Sequence, residues 1–242
     1  MKILVLSDIH ANISALNSVL EDASDFDETW CLGDIVGYGP DPNECIERIQ
    51  ALPNLSCIIG NHDAAALGTI SAESFNLEAK LSILWLKSQL SPSNRAFLES
   101  LQTQKKINNV LLVHGSPRSP MWEYMIDRYI ALENFEYFDL SLCFVGHTHM
   151  PCVFEKLDSN GNVSFNVLRP DEIFQITTKT ILNPGSVGQP RDHDRRASYG
   201  FFDTENNTWK LKRIEYDFSS VQKRIKTAGL PTHHAVRLSY GW

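Results

Sequence analysis

From Lys2 to Val145, short runs of β-branched and other apolar residues alternate with stretches that carry one apolar face. That rhythm predicts strands alternating with amphipathic helices, an α/β fold. Lys2 to Leu6 reads as a buried strand, and Asn12 as the cap of a helix presenting Ile13, Leu16, Val19 and Leu20 on one side. Thr29 to Leu32 reads as a second strand, and Asp41-Pro42 as the start of a helix with Cys45, Ile46 and Ile49 at helical spacing. Ser56 to Ile59, Val110 to Val113 and Leu142 to Val145 read as further strands, with helix from about Glu73 to Leu101 interrupted near Pro92. After His149 the pattern becomes a meander: Cys152 to Leu157, Val163 to Leu168, Phe174 to Leu182, Tyr199 to Asp203 and Thr208 to Tyr216. Turn residues such as Asp158-Ser159-Asn160-Gly161 separate these strands. A last amphipathic helix covers Ser219 to Ala228, and His233 and His234 fall in a tail without pattern, as surface residues. The expectation is one domain over residues 1–242, mixed α/β first and β-rich after, with the β-rich part forming a second sheet.

Composition narrows the class. The 242 residues are 43% apolar and 21% charged, enough to bury a core without disulfides or a structural metal. A formal net charge of -7 counts against a protein built to bind nucleic-acid polymers. Local basic clusters exist at Arg191, Arg195 and Arg196, at Lys210, Lys212 and Arg213, and at Lys223, Arg224 and Lys226. The last two read as solvated faces of a strand and a helix. The five cysteines are scattered and form no CxxC pair, which points to reduced thiols and a cytoplasmic location. The apolar run after Met1-Lys2 is too short for a signal peptide, and no stretch is long enough to span a membrane.

The chemistry lies at the strand ends. The first strand runs into Ser7-Asp8-Ile9-His10, the second into Gly33-Asp34, the third into Gly60-Asn61-His62-Asp63, the next into His114-Gly115 and the last into Gly146-His147-Thr148-His149. Ligands of open α/β sheets bind at the carboxyl ends of strands, so these side chains can meet in one crevice. Asp8, His10, Asp34, Asn61, His114, His147 and His149 are too many for one tetrahedral ion but suit two ions sharing a carboxylate. Carboxylate and imidazole accept Mn, Fe, Zn, Ni or Co, and no thiolate selects a soft metal. The glycines would permit the sharp turns that aim the following side chains inward.

The order Asp-x-His, Gly-Asp, Gly-Asn-His-Asp, a lone His and Gly-His-x-His resembles the calcineurin-like metallophosphoesterase superfamily from Asp8 to His149. The resemblance implies a four-layer α/β/β/α sandwich of two mixed sheets flanked by helices. It implies two divalent ions, manganese first, with Fe, Ni, Zn, Co and Mg as alternatives. Residues matching Asp8, His10, Asp34 and His149 would hold one ion, and Asp34, Asn61, His114 and His147 the other, with Asp34 bridging. His62 would be a non-ligand that protonates the leaving group, with Asp63 holding its other nitrogen. The nucleophile would be a metal-bridging hydroxide.

The implied activity is hydrolysis of phosphodiesters, and also monoesters, of small substrates, nucleotides among them; the oligomeric state stays open. A Ser/Thr protein phosphatase of the same lineage would carry Arg where Ile59 stands, and a non-catalytic scaffold, such as one retromer subunit, would lack the full ligand set. Asn183-Pro184-Gly185-Ser186-Val187-Gly188-Gln189-Pro190-Arg191 is a rigid loop that either presents backbone N–H groups and Arg191 to a substrate phosphate or supports the strand carrying His147. Tyr38, between Gly37 and Gly39, is either a substrate-facing residue able to stack on a base or part of a plain turn. Trp122, Tyr124 and Met125 form a further candidate wall.

Overall fold

The computed structural model describes residues 1–158 and 161–242, so Ser159 and Asn160 of the expected turn lie outside the described residues. In the amino-terminal part, β1 (Lys2–Leu6), α1 (Ile13–Asp22), β2 (Glu28–Cys31), α2 (Pro42–Gln50), β3 (Leu55–Cys57) and α3 (Asn61–Leu67) follow one another. The Asn12 side chain accepts from the Ala15 amide and fixes where α1 starts, while Pro42 opens α2 at a position that needs no N–H. The helical stretch expected to break near Pro92 is α4 (Leu77–Gln89) and α5 (Pro92–Glu99). Then come β4 (Gln104–Ile107), β5 (Val110–Val113), α6 (Arg128–Asn134) and β6 (Leu142–Phe144). The rest is β7 (Cys152–Lys156), β8 (Val163–Asn166), β9 (Ile173–Gln175), β10 (Thr180–Asn183), β11 (Ala197–Asp203), β12 (Thr208–Ile214), α7 (Phe218–Thr227) and α8 (Thr232–Arg237).

Among the described residues the strands form two six-stranded sheets, ordered β3-β2-β1-β11-β12-β9 and β4-β5-β6-β10-β7-β8. The pairs β1/β2 and β2/β3 are parallel, as are β5/β6 and β6/β10, so within each sheet these carboxyl ends share an edge. Alternation along β1 shows the layering. Leu4 and Leu6 join an outer core with Leu16, Val19, Ile46, Val221 and Ile225 of the helices, whereas Ile3 and Val5 point between the sheets to Trp30, Leu112, Phe144 and Trp209. The far face of the second sheet packs Val113, Val145 and Phe154 on Ala131 of α6 and on Phe135. The four-layer α/β/β/α sandwich is therefore present.

Two expectations about the carboxyl-terminal half fail. It does not make a sheet of its own: β9, β11 and β12 complete the first sheet, while β7, β8 and β10 complete the second. The single strand expected from Phe174 to Leu182 is two strands, β9 paired with β12 and β10 paired with β6 and β7, on opposite sheets. Apolar periodicity reports that a strand is buried but not which strand it meets. The tail is also structured, for α8 buries His234 to 1% exposure. All five cysteines are free and buried. Among the described residues no helix is long and apolar enough to cross a membrane.

Candidate metal centre

The turns after β1, β2, β3, β5 and β6 bring the expected residues together. Asp8, His10 and His149 place ligand atoms within 4.8 Å of one another, and so do Asp34, His114 and His147. Asp34 joins the two groups: its Oδ2 lies 3.3 Å from His114 Nε2 and 3.7 Å from His10 Nε2. Asn61 Oδ1 lies 3.1 Å from His114 Nε2. Asp8, His10, Asp34, His147 and His149 themselves adopt positive φ, between 49° and 63°. The left-handed region costs a non-glycine residue of order 1–2 kcal/mol, so these five candidate ligands carry backbone strain that the surrounding packing must hold. The reason expected for two of the glycines is thus corrected. Gly60 and Gly146 are needed for close approach: a Cβ on Gly60 would lie 2.1 Å from Asp34 Oδ1, and one on Gly146 would lie 2.0 Å from Ser7 Oγ.

Hydrogen bonding leaves a consistent set of atoms free. Asp8 Oδ2 accepts from Ser7 Oγ (2.7 Å) and the His147 amide (3.0 Å), and Asp34 Oδ1 accepts from the His62 amide (2.8 Å). Each carboxylate's other oxygen, Asp8 Oδ1 and Asp34 Oδ2, is buried without a hydrogen-bond partner, as is His147 Nε2. The Nδ1 atoms of His10, His114 and His149 face the Val36, Leu32 and Gln189 carbonyls at 3.2, 2.8 and 2.6 Å. Carbonyls only accept, so each Nδ1 carries the proton and each Nε2 presents a lone pair in the neutral ring. His10 Nε2 and His149 Nε2 then face each other at 3.0 Å, an arrangement that calls for a cation between them. The donor set, its burial and its orphaned lone pairs fit a pair of divalent ions.

The electrostatics agree. Burial pushes His10 and His149 well below their usual range, and lowers His147 to about 3 with help from the charge on His114. Burial likewise raises Asp8. Burial would also raise Asp34, but the charge on His114 outweighs it and holds that carboxyl well below the usual carboxylate range. Burial acts to lower His114, but Asp34 overrides it and pushes this imidazole up to about 10.

His62 stands at the start of α3, outside both ligand groups, with its ring 5.0 Å from that of His10. Its expected partner is not there. Asp63 accepts from the Val36 amide (2.9 Å) and the Gly60 amide (3.0 Å), knitting the turns after β2 and β3, while His62 Nδ1 is buried without a partner. Burial lowers His62 to about 4, which corrects the expectation of an unperturbed imidazole. Tyr38 is not free to stack on a base: it is 7% exposed, and its ring lies against His62 (4.4 Å), His10 (4.7 Å) and His234 (4.9 Å). The glycine-rich loop mainly supports the metal turns. Ser186 Oγ donates to the Asp8 carbonyl (2.7 Å), the Gly188 amide donates to the same carbonyl (3.0 Å), and Asn183 Nδ2 donates to the Gly146 carbonyl (2.8 Å). Its last residue, Arg191, reaches over the Tyr38 ring and donates to the Tyr38 hydroxyl (3.3 Å).

Of the expected wall, Tyr124 stacks on His147 (4.2 Å) and Trp122 packs on Phe75 (5.1 Å), but Met125 is buried in the core behind the second sheet. Phe75 itself lies 4.9 Å from His62, and nothing in its local sequence marks it.

Helix-covered paired sheets with two buried carboxylate–imidazole groups at their strand ends define, by class, an α/β protein with a candidate metal centre. Residues 1–207 match the calcineurin-like phosphoesterase superfamily domain. The chain belongs to that superfamily. It is 40% identical over 247 residues to an uncharacterised protein of Methanocaldococcus jannaschii, covering 99% of this chain and 98% of that one. The crystal structure of a metallophosphoesterase from Sphaerobacter thermophilus superposes with a TM-score of 0.92 at 42% identity, over 100% of this chain and 99% of that one. A symmetrical bis(5'-nucleosyl)-tetraphosphatase of Glaesserella parasuis is 26% identical over 129 residues, 51% of this chain and 47% of its own length.

Proposed function

We propose that the chain hydrolyses phosphodiester bonds of small, nucleotide-type substrates in the cytoplasm, with two divalent ions, manganese first, as cofactors. The observation that carries the reading is the pair of buried ligand groups joined by Asp34, each with a carboxylate oxygen that has no partner. Asp8, His10, Asp34 and His149 would hold one ion, and Asp34, Asn61, His114 and His147 the other. When bound, the ions supply Lewis acidity that acidifies water and neutralises charge on the phosphoryl oxygens.

The remaining work falls to side chains. His62 donates the proton to the departing oxygen. Because burial keeps it neutral in the free protein, it is the negative charge of the substrate that raises its pKa for this role. Asp63 acts on the backbone, holding the turns on either side of His62 in register. Tyr38 backs the His10 and His62 rings, and Arg191 offers its guanidinium to phosphate. Trp122 and Tyr124, 36% and 47% exposed, offer aromatic surface beside the centre on which a base can lie. The nucleotide preference is further supported by the name of the Glaesserella relative. A protein-phosphatase reading lacks its cation, since the residue before Gly60 is the buried Ile59.

The test is hydrolysis of bis(p-nitrophenyl) phosphate and p-nitrophenyl phosphate by metal-stripped protein given Mn, Ni, Mg or Zn. Ion-dependent turnover with the diester preferred is expected. Absence of turnover with every ion, despite two bound per chain, would overturn the reading.

A further inference from the structure

His62 has to turn one nitrogen to the departing oxygen, yet no hydrogen bond holds its ring. Its Nδ1 is buried without a partner, and Asp63 is engaged by the Val36 and Gly60 amides. The Gly37 backbone closes over that side of the ring, since a Cβ on Gly37 would lie 2.8 Å from His62 Nδ1. Nε2 is therefore the nitrogen left to give a proton. Rotation of an imidazole about its last side-chain torsion is soft, with a broad and roughly two-fold profile. Where no hydrogen bond sets that torsion, packing has to.

Other rings supply the packing. His10 stands edge-on at 5.0 Å, Tyr38 lies tilted at 4.4 Å and Phe75 stands edge-on at 4.9 Å. His10 and Tyr38 come from the turns after β1 and β2, within the centre itself. Phe75 comes from the segment between α3 and α4 and is half-buried. Its backbone is pinned on both sides. The Ser71 hydroxyl caps a single helical turn, Ala72–Ser74, by accepting from the Glu73 amide (3.2 Å), and the Phe75 amide donates to the Ala72 carbonyl (3.2 Å). Asn76 then caps α4 by accepting from the Ala79 amide (2.9 Å). An apolar residue just before a helix cap often packs on the fourth residue of its own helix, which here is Lys80. The Phe75 ring leans on the small cluster of Ala65, Ala72 and Ile83 and meets His62, with Trp122 against it at 5.1 Å.

We infer that Phe75 is a positioning residue: it holds the His62 ring with Nε2 turned to the departing oxygen, in place of a hydrogen bond to Nδ1. Its ring contacts are to His62 and Trp122, neither of them a candidate ligand, so its effect on the reaction passes through His62. This rests on the acid role given to His62 above and extends it.

The experiment is a double-mutant cycle on manganese-loaded protein, read on a p-nitrophenyl diester and on a diester with an alkyl leaving group. A misdirected acid harms most the reaction that needs its proton. Phe75→Ala should therefore lower kcat about tenfold on the alkyl ester and less than about twofold on the p-nitrophenyl ester, with KM little changed. Phe75→Leu, which keeps apolar packing without the ring, should show the same split, and Phe75→Tyr should restore the wild-type ratio. In a His62→Ala background, Phe75→Ala should cost nothing further. Equal losses on both esters, or the same loss with and without His62, would overturn the positioning role and leave the phosphoesterase reading in place. If His62→Ala itself slows both esters alike, the acid role fails; if the wild type turns over neither ester, the phosphoesterase reading fails. In both cases the hold on the ring is judged by NMR relaxation of carbon-13-labelled histidine, with His62→Ala assigning the signal. A His62 ring that is rigid in the wild type and in Phe75→Tyr but loosened in Phe75→Leu supports it, and equal order in all of them refutes it.

Discussion

His62 carries most of the chemistry assigned to a single side chain. It is buried to 4% exposure, lies outside both ligand groups and touches Tyr38 and Phe75 with its ring. A general acid matters in proportion to how poor the leaving group is. His62→Ala should therefore slow an alkyl diester by about 100-fold or more, while p-nitrophenyl diesters lose less than about tenfold. Measured kcat/KM for a series of leaving groups checks this, and a uniform loss across the series would remove His62 from the acid role. The string Gly-Asn-His-Asp drew attention to this position in the sequence. That Asp63 turns away to the Val36 and Gly60 amides was not readable there, because it depends on the turn after β2 lying alongside.

The strand–turn units hold the centre at fixed spacing. Gly146 lies in the turn after β6, just before His147, where Ser7 Oγ leaves no room for a Cβ, and that same hydroxyl holds Asp8 Oδ2. Gly146→Ala should cost about 1–3 kcal/mol as an overpacked contact. It should also weaken ion binding at Asp8, by displacing the group that orients its carboxylate. Urea unfolding and an ion titration on the same variant check both parts; full stability with unchanged ion affinity would contradict the contact. Elements marked by an apolar run or one clear apolar face, such as β1, β5 and α1, stand where the sequence placed them. Two short helices did not show. The seven residues of α6 and six of α8 offer too few turns for a periodic signal, and their positions come from tertiary packing.

In the molecule as a whole, the ligand clusters make ion uptake a proton-linked event. In the ion-free protein Asp34 holds His114 up at about 10, so this imidazole is charged throughout the neutral range. A charged imidazole cannot ligate, and binding must expel its proton. Ion affinity should therefore rise with pH, by about tenfold per unit between about pH 7.5 and 8.5 for the proton of His114, and more steeply below, where the raised Asp8 is also protonated. Calorimetry in buffers of different ionisation enthalpy would count that proton; affinity independent of pH would show His114 neutral beforehand. The linkage sign for the ion-free fold follows from the same shift. The raised pKa contributes stability that is fully present below about 6.5 and is lost as pH rises through about 10.

The sequence by itself determined the α/β class, most strands and the identity of the residues that meet at the centre. It could do so because burial periodicity and the chemistry of metal ligands are local properties of residue type and spacing. Tertiary structure alone decided that the carboxyl-terminal strands divide between the two sheets, that Tyr38 is walled in between imidazoles, and that α8 packs His234 on Tyr38. Each of these depends on contacts between segments far apart in the chain, and no local pattern encodes which distant partner a strand or ring will find.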